Sequence, residues 1–188
     1  INGIDGGMLA TPDATTAARA TRLRRFGVDG AFFRDARGEI NPESDVPEIG
    51  WSAALNNLNA AVALSQLKTL SDRMARTFVV AGRLSDALSG LRRLRPVRPV
   101  RSAIPAFWGF LVLSEHRDAL LLHLKTHGIK SSIFHQRNDW YTGFGTPRAK
   151  LPGTELVMKQ LLALPCGWWL SDEQIQFIVD AVRAAREA

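Results

Sequence analysis

The chain has 188 residues, 46% of them hydrophobic, enough for one domain or parts of two around an ordinary core. No run reaches the ~20 apolar residues that a membrane-spanning helix needs, and one cysteine, Cys166, excludes an intramolecular disulfide framework, so a reducing cytoplasm is expected. The net charge of +6 comes from arginine, densest in residues 92–101 (RRLRPVRPVR). That stretch reads either as a patch for phosphate or nucleic acid, or as a solvated linker kept extended by Pro96 and Pro99.

In chain order, residues 6–11 (GGMLAT) predict a short strand after a glycine turn. Pro12 and Asp13 open a helix with an apolar and alanine face through Leu23, and Gly27 suits its end. Residues 28–50 carry no sustained period, and loops of that length are often functional or sit at interfaces. Leu55, Leu58, Val62 and Ser65 fall at helical spacing. A longer helix follows, with Met74, Phe78, Ala81, Leu84, Leu88 and Leu91 on one stripe. Residues 107–113 (FWGFLVL) predict a strand. Residues 115–128 predict a helix stopped by Gly128. Residues 129–135 (IKSSIFH) and 161–166 (LLALPC) predict two more strands. Ser171 is the expected N-cap of the last helix, whose buried face is Ile175, Ile178, Val179 and Val182. Helix and strand alternate, which argues an α/β architecture. A boundary is expected near residue 70, dividing the chain into 1–70 and 71–188.

Residues 134–144 (FHQRNDWYTGF) gather polar and aromatic side chains in one loop, the setting in which binding residues concentrate. The planar fork of Arg137 suits a diphosphate or a donor carboxylate, and the other reading pairs it with Asp139. Trp168 and Trp169 cannot both point one way. One is expected in the core and the other over a site mouth or a seam. Cys166 is expected to be buried and inert. His123 and His127 are spaced i, i+4, but no flanking glutamate completes a zinc pattern, and no metal is expected. Gly3, Gly6 and Gly7 do not form a dinucleotide fingerprint, because no strand precedes them.

Three stretches carry a resemblance: residues 6–27 (GGMLATPDATTAARATRLRRFG), 48–70 (EIGWSAALNNLNAAVALSQLKTL) and 163–182 (ALPCGWWLSDEQIQFIVDAV). Together they resemble the DegT/DnrJ/EryC1/StrS sugar aminotransferases, the middle stretch most specifically. The resemblance implies an aspartate aminotransferase-like fold (fold type I) and pyridoxal 5′-phosphate (PLP) as cofactor. The implied reaction aminates a keto group on a nucleotide-linked sugar, with glutamate or another amino acid as donor. It further implies a homodimer with a shared active site, and no nucleic-acid or membrane partner. Residues 1–70 would then be the end of the large, PLP-binding domain, and 71–188 the small C-terminal domain.

The lysine that carries the cofactor covalently in that family would lie just upstream of Ile1. None of Lys68, Lys125, Lys130, Lys150 and Lys159 matches it, so no catalytic residue is expected within the chain and the chain by itself is expected to be inactive. Ser52 stands where the family often has an asparagine reaching the partner's cofactor phosphate. The bland reading of Ser52 is a turn or cap serine. Ala54 replaces a common polar residue and cannot touch phosphate. Asn56 or Asn57 could substitute, or could cap the following helix. Trp51 aligns with a family aromatic, for packing in a core or interface, or for ligand stacking. His135 matches a histidine that borders the active site in related members, and Arg137 lies beside it. Dehydratases of the same family replace the lysine with histidine, so the chain does not separate the two chemistries. A reading from another class is a basic α/β module that binds nucleic acid through residues 92–101.

Overall fold

Asp13 fixes where regular structure begins. Its carboxylate accepts the Thr16 N–H at 2.7 Å and caps helix α1 (Ala14–Leu23). The computed structural model describes residues 1–145 and 149–185. The chain divides into two compact units, Ile1–Leu70 and Ser71–Ala188. Among the described residues no helix is long and apolar enough to cross a membrane.

In the first unit, α1 is followed by a long irregular segment and by α2 (Asn57–Leu67). Gly27 (φ +84°) closes the turn after α1 by donating its N–H to the Arg22 carbonyl at 2.9 Å. A Cβ on Gly50 would lie 2.2 Å from the Gly27 nitrogen, so two glycines are needed for the backbones to meet there. Residues 6–11 are not a strand. A strand exists only through a ladder to a neighbour, and none lies beside this segment in the unit. The 28–50 segment is built from turns, with one isolated bridge between Arg34 and Ile40.

The second unit opens with α3, which runs from the boundary residue Leu70 to Leu88. It continues through β1 (Leu94–Pro96), β2 (Phe110–Ser114), α4 (Arg117–Thr126), α5 (Pro152–Gln160), β3 (Leu161–Leu164) and α6 (Asp172–Ala184). The sheet order is β1-β2-β3, both pairings antiparallel. Phe110 faces Leu164 and Val112 faces Leu162. Against these four pack Val80, Leu84 and Leu88 of α3, Leu120 and Leu124 of α4, and the Ile175/Ile178/Val179/Val182 face of α6. Ser171 caps α6 in a reciprocal capping box with Gln174, so the sequence signal for this terminus holds in detail.

Three further expectations are corrected. The Arg/Pro stretch is not a plain linker, because Leu94 inserts into the core and residues 94–96 form the edge strand β1. Pro96 is tolerated there because an edge strand does not need every ladder donor. The α3 stripe ends at Leu88, since Gly90 (φ +85°) turns the chain and Leu91 packs on the core from beyond the helix. The strand expected at 129–135 is reduced to one bridge, Ser132 to Ala163, because His135 (φ +60°) bends the chain away. Helix α5 carries no buried residue, so it left no apolar stripe to read.

Leu124→Ala should cost about 2–5 kcal/mol, since the leucine is fully buried in the core. Leu122→Ala, two residues away on the exposed side of the same helix, should cost less than about 1 kcal/mol. Urea unfolding midpoints of the two variants measure the difference.

Candidate functional site

Trp51, Ser52 and Asn56 belong to the first unit. Residues 50–53 run beside the end of α1: Trp51 N–H donates to Leu23 O at 2.7 Å, Phe26 N–H to Trp51 O at 2.9 Å, and Ala53 N–H to Arg24 O at 2.9 Å. Ser52 pairs with Arg25 in an isolated antiparallel bridge, so its position is fixed by backbone bonds on both sides. Its hydroxyl is exposed and caps nothing among the described residues. Asn56 is the N-cap of α2, accepting the Asn59 N–H at 2.8 Å through Oδ1. That settles which asparagine caps. The Asn56 NH₂ makes no hydrogen bond among the described residues. Trp51 is 65% exposed, so it is not a core residue of this unit: its backbone is held while its ring stands out. Nearby, a cleft of about 750 Å³ is lined by Gly7, Met8, Thr11, Thr21, Arg24 and Leu55.

His135 and Arg137 belong to the second unit. Arg137 is only 6% exposed. Its Nε and Nη2 donate to the two oxygens of Asp139 at 2.9 and 2.5 Å, Nη1 to Glu155 Oε1 at 2.9 Å, and Nη2 also to the Ala149 carbonyl at 2.7 Å. Four of the five donors of the fork are thus engaged by the loop and by α5, and the bonds to Asp139 are the pairing that the sequence offered as its second reading. The hydrogen bond from Arg137 is the main reason the Asp139 carboxyl titrates below its ordinary value, and the same bond raises the guanidinium above its own.

His135 lies in a different setting. It borders an aromatic cluster in which the Trp108 and Phe134 rings stack at 4.5 Å and 18°, and Trp108 and His135 stand 6.0 Å apart. These rings line a groove of about 280 Å³ together with Val97, Arg98 and Pro105. Sequence reasoning missed Trp108, having absorbed it into a strand. The available signal was the glycine that follows it, which interrupts the strand pattern.

The tryptophan pair is corrected as well. Neither Trp168 nor Trp169 is in the core. Their rings meet edge to face at 6.1 Å, and the Arg73 guanidinium lies 4.5 Å from the Trp168 ring. A Cβ on Gly167 would strike the Trp169 ring at 2.2 Å, so the glycine is what lets that ring fold back. Cys166 is buried in the core, and burial pushes its thiol up to about 11. His123 and His127 have ring nitrogens 3.0 Å from Ala181 O and 2.8 Å from His123 O, which gives each a local structural partner.

A family model described as the DegT/DnrJ/EryC1/StrS aminotransferase family matches residues 2–183. The chain is 27% identical over 183 residues to dTDP-3-amino-3,4,6-trideoxy-alpha-D-glucose transaminase of Streptomyces venezuelae, an alignment covering 95% of this chain and 45% of that protein. Its fold is similar to the crystal structure of sugar aminotransferase CalS13 from Micromonospora echinospora, with TM-score 0.82 and 26% identity over 92% of this chain and 46% of that one. It is also similar to S. venezuelae DesV in complex with a ketimine intermediate, with TM-score 0.76 and 26% identity over 95% of this chain and 46% of that one. The fold is therefore that of the fold type I sugar aminotransferases, and the chain spans about half the length of these relatives.

Two outcomes follow from the geometry. Asp139 titrates below 3.8 in the folded chain, so its stabilisation is present above that pH and is lost as pH falls through the lowered value. The difference in urea midpoint between the parent and Asp139→Asn should be full at pH 6 and shrink steadily below about pH 4. Cys166 should resist iodoacetamide at pH 8 in the native chain and react on unfolding. Raising the pH from 9 toward 11 should lower stability, because only the unfolded thiol ionises in that window.

Proposed function

The chain belongs to the DegT/DnrJ/EryC1/StrS aminotransferase family, and from that membership we propose that it is the C-terminal portion of an enzyme that aminates a nucleotide-linked keto-sugar. In this reading the amino donor is glutamate or a similar amino acid, the cofactor is PLP, and residues 1–70 are the end of the cofactor-binding domain. The observation that carries the reading is the extent of the match: it runs almost end to end through both units.

The residues present suit the phosphate end of the cofactor. Ser52 offers an exposed hydroxyl donor, and Asn56 offers an NH₂ whose two donors have no partner among the described residues. Ala54 adds no polar group. When bound, PLP supplies the electron sink for the charge that develops at the donor's Cα. Ser52 and Asn56 would bind and orient the phosphate. His135 would border the substrate. Arg137 would act mainly by position, holding residues 137–139 against α5, because four of its five donors are already engaged. The same reading makes the intact enzyme a cytoplasmic homodimer. The exposed apolar residues Trp51, Leu58 and Leu64 of the first unit support a partner surface there.

The test is an amino-transfer assay on the gene product that carries this chain, with ¹⁵N-glutamate and a nucleotide-linked keto-sugar. Nitrogen should appear in the sugar. A deoxygenated product without nitrogen would replace this reading with the dehydratase, and no turnover of any such sugar would end it. Asn56→Asp keeps the helix cap but removes the donor and adds a like charge. It should raise the PLP dissociation constant by about tenfold or more, followed as cofactor retention on dialysis. Unchanged retention would remove Asn56 from the site.

A further inference from the structure

Residues 87–114 contain five arginines and no acidic side chain. Arg92, Arg95, Arg98 and Arg101 are exposed, and none of the four forms an ion pair among the described residues. On β1 the buried residue is Leu94. Successive side chains of a strand alternate between faces, so Arg95 points away from the core. Beyond β1 the chain stays outside: residues 97–104 are exposed throughout. Ala103 N–H donates to the Val100 carbonyl at 2.9 Å and closes a turn there. Beside that turn Val100 is 71% exposed and Ile104 85%, the highest value for any described large hydrophobic side chain of the second unit. A single exposed aliphatic residue is ordinary. Here two of them flank a turn and are interleaved with guanidinium groups that have no counter-charge in the fold.

We propose that residues 97–104 dock the protein on an anionic lipid surface, with Val100 and Ile104 entering the headgroup–acyl boundary and Arg95, Arg98 and Arg101 lying against lipid phosphates. The inference goes beyond the amino-transfer reading and does not depend on it. The family resemblance implies no membrane partner, and the pattern of charge and apolar exposure in this loop argues for one. A guanidinium matches phosphate, and its stem lies along apolar surface while its head stays at the headgroups. Two aliphatic side chains anchor weakly by themselves, and the attraction of the arginines to an anionic leaflet supplies the rest, so the docking is reversible and sensitive to salt. Nucleic acid fits the loop less well. Single strands are held by aromatic stacking among basic groups, and residues 92–104 contain no aromatic side chain. An acidic protein fits less well too, because protein interfaces gather apolar residues into a core inside a polar rim, and here the two kinds alternate.

The experiment is vesicle flotation of the gene product that carries this chain. Vesicles of phosphatidylcholine alone are compared with vesicles of phosphatidylcholine mixed with phosphatidylglycerol, at low and at high salt. The protein should float with the anionic vesicles at low salt, and neither with the neutral ones nor at high salt. Arg98→Gln with Arg101→Gln should weaken partitioning by about tenfold or more. Val100→Ser with Ile104→Ser, at unchanged net charge, should weaken it by about fivefold or more. Arg34→Gln with Arg37→Gln removes the same charge from the first unit and should leave partitioning near the parent's. All six side chains lie outside the core, so an unchanged thermal transition verifies the fold. Absence of flotation with anionic vesicles at low salt would overturn the proposal. An equal loss in the first-unit pair would overturn it as well, by making net charge alone the cause. So would parental partitioning in the Val100/Ile104 pair, which would leave electrostatic adsorption only. A single-stranded oligonucleotide or polyglutamate that displaces the protein from the vesicles, and whose own binding needs Arg98 and Arg101 but not Val100 and Ile104, would make nucleic acid or acidic polypeptide the occupant instead.

Discussion

Phe110 and Val112 lie on one face of β2, and the register that sets them opposite Leu164 and Leu162 joins four side chains into an apolar plate. Each fully buried side chain of this size contributes about 1.5–3 kcal/mol, so the plate and the helices on it account for most of what holds the second unit together. The period of a strand is two. A one-residue slip of β3 would turn Leu162 and Leu164 away and bring Leu161 and Ala163 to the helices. The groove at Trp108 and the bend at His135 both depend on this register, because Gly109 leads into β2 and Ser132 is held to Ala163 of β3. Arg137 extends the same order outward by tying Asp139 and Glu155 together.

The first unit has no comparable plate. Its regular elements are two helices, and α2 carries leucine, valine and alanine around its whole circumference while burying only Ala63. Helices that are apolar all round belong in interiors. What holds the unit is polar: the hydrogen bonds between residues 23–26 and 50–53, and Gln66 bonded to both backbone groups of Asn2. The difference between the units is therefore one of kind. One is organised by burial. The other is organised by backbone bonds and leaves apolar surface outside.

Where sequence was legible, the signal was local and repeated. The α3 stripe, the Ser171 cap and the Asp13 start each rest on side chains within a few residues of one another. What escaped depended on distant partners. Residues 6–11 and 129–135 have strand-like composition, but a ladder requires a neighbour that composition does not supply. In residues 92–101 the single buried leucine among arginines was too faint to announce β1. Tryptophan shows the limit most clearly: one of Trp168 and Trp169 is expected in the core and both are exposed, while the exposure of Trp51 removes only the core reading of that residue. In the candidate site, the Arg137–Asp139 pair was visible as an alternative because the partners are two residues apart. The clamp on Glu155, eighteen residues away, was not.

The charge surplus is also distributed unevenly. Arg76 and Arg83 both pair with Asp172 at the start of α6, Arg37 with Asp35, Arg19 with Glu48, and Arg137 with Asp139 and Glu155. These arginines are neutralised where they stand. Arg95, Arg98 and Arg101 form no ion pair among the described residues, so much of the net positive charge stays on and just after β1. A flexible linker would have averaged that charge over many positions. An edge strand fixes it instead: Leu94 is anchored in the core, and Val97 N–H reaches Leu111 O at 2.9 Å. Arg98 is thereby held one residue past a fixed backbone bond, at the rim of the Trp108 groove. Charge held in place attracts an anion without the entropy of ordering a loop at the moment of binding. The arginine run that looked least structured in the sequence is thus tied to the sheet at Leu94 and Val97.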